Sequence, residues 1–405
     1  MDSLYFLKKE KESIAFLVLF FVLFLYASFV GGGFSEEKID QHAEVVLGTC
    51  KNSEHRPSCY DKEIPKLMDA GLSMEEAFAV TEYVQQKDAS YNYCHVLGHT
   101  LSAKETAKDP SKWQDIITRV PSGVCSNGGI HGAFQERFRK ESLPDAEVFE
   151  LEPILTDICR ARREWDPTRL EQATCTHAVG HLAMYITNAD IYKSMELCDR
   201  VSINEDGYDF RQICYDGAFM QIFQPLEPED FALVEGKHPN KEKVSVYCSA
   251  FEAKQKESCW TESWPLSINE IKKPDGLTVF CSYLSPEGEG AVARCFEGAV
   301  YVLTPFFFAF DIEVIIDFCL GLQDERKGEC IASAASRIIE NDWGSIDTAI
   351  DLCKKAETHS LGVACFNKLI LYSTYNFHPG SKEFFSLCES LEEPWEKECL
   401  FGFKQ

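Results

Sequence analysis

The spacing of the cysteines constrains this chain more than any other feature. There are eighteen: Cys50, Cys59, Cys94, Cys125, Cys159, Cys175, Cys198, Cys214, Cys248, Cys259, Cys281, Cys295, Cys319, Cys330, Cys353, Cys365, Cys388 and Cys399. From Cys248 onward the short gaps are 11, 14, 11, 12 and 11 residues and the long gaps 22, 24, 23 and 23. This alternation repeats about every 35 residues, the length of a helix-turn-helix unit. The first cysteine of each pair closes an apolar stretch, as in VIIDFC to Cys319, TAIDLC to Cys353 and FFSLC to Cys388. The second opens another, often as C-x-x-G, as in Cys214 to Gly217, Cys295 to Gly298 and Cys399 to Gly402. Charged segments such as QDERKGE and SLEEPWEKE lie between them and read as exposed links.

A disulfide across each short gap would staple one helical hairpin, worth about 3 kcal/mol on the chain-entropy model. The rule pairs Cys50 with Cys59, Cys159 with Cys175, Cys198 with Cys214, Cys248 with Cys259, Cys281 with Cys295, Cys319 with Cys330, Cys353 with Cys365, and Cys388 with Cys399. Cys94 and Cys125 fall outside it. Either they bridge one another, or they remain thiolates and join a metal site. Two long gaps of 34 residues, Cys125 to Cys159 and Cys214 to Cys248, read as loop insertions.

At the level of architecture this period and cysteine placement, from Cys50 to Cys399, resemble the Sel1-like and tetratricopeptide families. The likeness is to cysteine-rich helical-repeat proteins in which every hairpin carries a bridge. It implies an all-α solenoid of about nine or ten disulfide-stapled hairpins and carries over no binding residues.

The N-terminus sets the compartment. Ile14 to Val30 is a run of 17 residues without a charge, preceded by Lys8, Lys9 and Lys11 and followed by Glu36 and Glu37. A basic flank before an apolar run orients the remainder outward. The expected organisation is a cytoplasmic tail (1–13), a signal anchor or signal peptide (14–33) and an extracytoplasmic helical-repeat domain (34–405). The chain would thus sit on the membrane through residues 14–30 by one transmembrane helix, or be secreted after cleavage. Paired cysteines fit an oxidising compartment. The 65 acidic against 40 basic residues leave a formal charge of −25, which argues against nucleic acid as a partner.

Of ten histidines, five fall in three related motifs: Cys94-His95-Val-Leu-Gly98-His99, Cys125-Ser-Asn-Gly128-Gly-Ile-His131-Gly132 and Cys175-Thr-His177-Ala-Val-Gly180-His181. The motifs mark His-containing repeats at about 75–195, and the repeats at about 196–405 lack them. His95 and His99, and His177 and His181, are four apart and share a helical face. Side by side, three such helices would turn neutral imidazoles toward one another, the donor set of a zinc, copper or iron site. His99, His131 and His181 would be its centre, with His95 and His177 one turn earlier. Protonation of the imidazoles near pH 6.5 would release the metal. Neither HVLGH nor HAVGH is an H-E-x-x-H zinc motif, and the nearest carboxylates are Glu105 and Glu136, the latter a candidate base. The competing reading is a glycine-mediated packing motif with hydrogen-bonded imidazoles. In functional terms a metal-binding protein or metal-dependent enzyme stands against a scaffold whose concave face holds a protein or peptide.

Overall fold

The computed structural model describes residues 36–138, 143–163, 165–203, 207–226 and 228–402. The segments 1–13 and 14–33 lie outside the described residues, and among those that are described no helix is long and apolar enough to cross a membrane. The described chain is all-helical, with 22 α-helices and no strand.

All nine cysteine pairs are joined as the short-gap rule and elimination pair them, Cys94 with Cys125 included, so the thiolate-ligand alternative is overturned. In most hairpins the first cysteine ends an outer helix and the second sits in the first turns of an inner one. The inner helices are α1 (His95–Thr106), α2 (Gly128–Phe138), α3 (Arg169–Ile186), α4 (Arg211–Phe223), α5 (Ala253–Glu262), α6 (Glu289–Phe306), α7 (Asp324–Asn341) and α8 (Gly362–Asn376).

Outer and inner helices differ in how much of their circumference is apolar. Outer helix Ile346–Glu357 buries Ile346, Ala349, Ile350, Leu352, Cys353 and Ala356, all on one face at helical spacing. Inner helix α3 buries Leu170, Ala173, Ala178, Val179, Leu182, Ala183 and Met184, which lie around its whole surface. It starts on a capping box, with Thr168 accepting from the Glu171 amide while Glu171 accepts from the Thr168 amide.

Inner helices pack on their successors, and the last ones return to the first: α8 packs on α3. Asn341, ending α7, accepts from Ser126 Oγ at 3.0 Å and donates to the Asn92 carbonyl at 3.1 Å. His378 Nε2 lies 2.9 Å from the Asp166 carbonyl oxygen. Gly123, at φ 71°, has the Trp343 ring where a Cβ would be, 2.2 Å from Cδ2. The array therefore closes on itself, so its inner surface is walled on both sides.

Candidate metal centre

Glycines bring the histidine helices together. A Cβ on Gly132 would lie 2.0 Å from the His99 carbonyl oxygen, and one on Gly128 2.2 Å from that of His95, so α1 and α2 touch backbone to backbone. The next pair repeats this: a Cβ on Gly217 would meet the His177 carbonyl oxygen at 2.0 Å, and one on Gly180 that of Cys214 at 2.1 Å. The Cys94–Cys125 bridge ties the N-terminal ends of α1 and α2. Packing glycines and clustered imidazoles are therefore two parts of one arrangement.

The five rings form one group with His131 at its hub. Its centroid is 5.0 Å from those of His95 and His99 and 5.5 Å from those of His177 and His181. Within the pairs the separations are 4.7 Å for His95 and His99 and 5.0 Å for His177 and His181. The tightest set is His95, His99 and His131, whose ligand nitrogens all lie within 4.8 Å of one another and could hold a metal ion. His181 instead pairs with His177, Nε2 to Nε2 at 3.2 Å. The tight trio thus differs from the expected one-per-helix set of His99, His131 and His181, because His181 pairs with His177 instead.

Two glutamines orient the outer nitrogens. His99 Nδ1 lies 3.1 Å from Gln135 Oε1, and His181 Nδ1 lies 2.7 Å from Gln221 Oε1. An amide oxygen can only accept, so each Nδ1 carries the proton, and the His181 Nε2 lone pair accepts from His177 Nε2–H. His131 is 4% exposed, and its Nε2 has no hydrogen-bond partner among the described residues. A buried polar nitrogen left in this state costs about 1–3 kcal/mol.

Burial holds the imidazoles neutral. It pushes His95 down to about 4, with the Arg337 charge adding to the effect and backbone carbonyls opposing it. His131 falls well below 6.5 through burial and then through its four neighbours, and His177 does so through burial and His181. Burial lowers His181 as well, against Gln221 and the Asp230 carboxylate.

The shift also bears on the metal-free protein. The folded pKa of His95 lies below its unfolded value of 6.5, so the stabilisation is complete above pH 6.5 and is lost as pH falls toward 4. His95 alone accounts for about 3 kcal/mol. The Tm of the metal-free protein is expected to drop steeply across this window; a flat profile would mean that the rings are solvated.

Other candidate residues fall elsewhere. Glu105 is engaged by Lys108 and Arg119. Glu136 is outside the three-ligand group, and no hydrogen bond joins it to a histidine among the described residues. Asp230 is buried in helix Pro228–Val234 of the Cys214–Cys248 insertion, where it accepts from the Tyr185 hydroxyl and faces His181. Gln135, Gln221, Asp230 and Arg337 escaped the sequence reading. Only the glutamines left a local trace, each lying four residues beyond a motif residue, His131 or Gly217.

The fold and site together define an all-helical, disulfide-stapled protein with five clustered histidines on three adjacent helices. No family model, curated protein or solved structure matches the chain.

Proposed function

We propose that this chain binds a transition metal ion through His95, His99 and His131, with His177 and His181 beside them, in an exported and membrane-anchored protein. The observation that carries the reading is the hub: a buried His131 Nε2 with no hydrogen-bond partner among the described residues, its ring 5.0 to 5.5 Å from four other imidazoles. Three nitrogen donors without a carboxylate suit zinc or copper, and iron less well. Such a site leaves at least one coordination position open and leaves the ion's charge unneutralised, so the bound metal would act as a Lewis acid. The disulfides support an extracytoplasmic location, and residues 14–30 are the proposed anchor. The alternative, a scaffold holding a peptide on an open concave face, draws no support from an array that closes on itself.

Metal content tests this. The wild-type chain is expected to carry about one ion per chain, and the His131→Ala, His181→Ala double variant far less, with added zinc or copper raising the Tm of the wild type alone. Equal near-zero content in both, with melting unchanged by any metal, would leave only a packing role.

A further inference from the structure

Arg337 lies on α7 and is 3% exposed, yet its Nε and Nη1 have no hydrogen-bond partner among the described residues. Its guanidinium carbon sits 3.6 Å from the centroid of the Tyr301 ring, a contact that satisfies only part of a buried positive charge. Glu340, one turn further on, offsets that charge only in part, because burial pushes it up to about 7 against the pull of Arg337. The Tyr93 hydroxyl shares a hydrogen bond with the guanidinium, which still leaves Nε and Nη1 unpartnered among the described residues.

The guanidinium adjoins the histidine site. Its charge reaches His95, and Tyr93, which shares a hydrogen bond with the guanidinium, has its ring 6.0 Å from that of His95. A buried charge without a full partner destabilises a fold, and such features are kept where a ligand completes them. Guanidinium groups match the oxygens of carboxylates and phosphates, which they bind through charge-assisted hydrogen bonds.

We propose that Arg337 anchors the oxyanion, carboxylate or phosphate, of a ligand that enters between Tyr93, Tyr301 and the histidine cluster. The inference rests on the metal-binding reading only for the ligand's second contact: a cation on three neutral imidazoles would hold the other end of the anion. Guanidinium and metal would then be neutralised by one group.

The test uses the full chain stripped of metal and titrated with inorganic phosphate or with acetate while the Tm is followed. At least one of the two is expected to raise the Tm of the wild type, and the response should vanish in Arg337→Met. In Arg337→Lys, which keeps the charge and loses the planar fork, the half-saturating concentration should rise about threefold or more. A response to phosphate alone would assign a phosphoryl ligand, and one to acetate alone a carboxylate. No response in the wild type, or the same response in Arg337→Met, would overturn the proposal; should that variant not fold, an unchanged midpoint in Arg337→Lys would do so. Failure of the metal reading would appear separately, as no metal uptake with the anion response intact.

Discussion

Reduction of the disulfides is expected to unfold this protein outright. Each bridge closes a loop of 9 to 31 residues, worth about 3 kcal/mol on the chain-entropy model. Nine of them together exceed the roughly 5–15 kcal/mol that separates folded from unfolded domains. The bridges also stand in for size, because each hairpin has little core of its own and buries its apolar stripe only against its neighbours. Far-UV circular dichroism during titration with a thiol reductant should show loss of helix at room temperature. Retention of native helicity and cooperative melting with all eighteen thiols free would show that packing alone suffices.

Gly132→Ala is expected to be the most damaging single methyl group in the histidine repeats. Its Cβ would stand 2.0 Å from the His99 carbonyl oxygen and 2.4 Å from Ser102 Oγ, and a backbone oxygen inside a helix cannot rotate away. Helices α1 and α2 would have to separate, at a cost of about 3 kcal/mol or more. The separation would also carry His99 away from His131, so metal affinity should fall about tenfold or more in step with stability. Gly290→Ala is the control: this exposed glycine in α6 meets only Arg294 Nη1, at 3.4 Å, and alanine there should be neutral or stabilise by up to about 1 kcal/mol. Similar chemical denaturation midpoints for the two variants would mean that the close crossing is not needed.

What could be read from the sequence was what local spacing encodes. Cysteine gaps near 11 and 23 gave the hairpin pairing, because a bridge across a short link depends on residues close in the chain. Histidines four apart at near-equal offsets from Cys94, Cys125 and Cys175 placed five rings on three neighbouring helices. Closure of the array was not legible, because its contacts join residues 212 to 249 apart, and Asn92, Ser126 and Asn341 belong to no motif. Asp230 was hidden for a related reason: it sits in an insertion that returns to the site only through the fold. The grouping of His95 with His99 and His131, rather than one histidine per helix, goes with the close approach of α1 to Gly128 and Gly132. Period alone does not fix that approach. Arg337 comes from four repeats further on and meets the cluster only because the array closes.

The most direct test of a histidine-bound metal is X-ray absorption at the metal edge, on full-length protein loaded with zinc and, separately, with copper. The predicted spectrum shows nitrogen neighbours at about 2.0–2.1 Å for zinc, with multiple scattering from three or more imidazole rings, reduced in His131→Ala. A bound ion surrounded by oxygen alone, or a spectrum unchanged in His131→Ala, would contradict it.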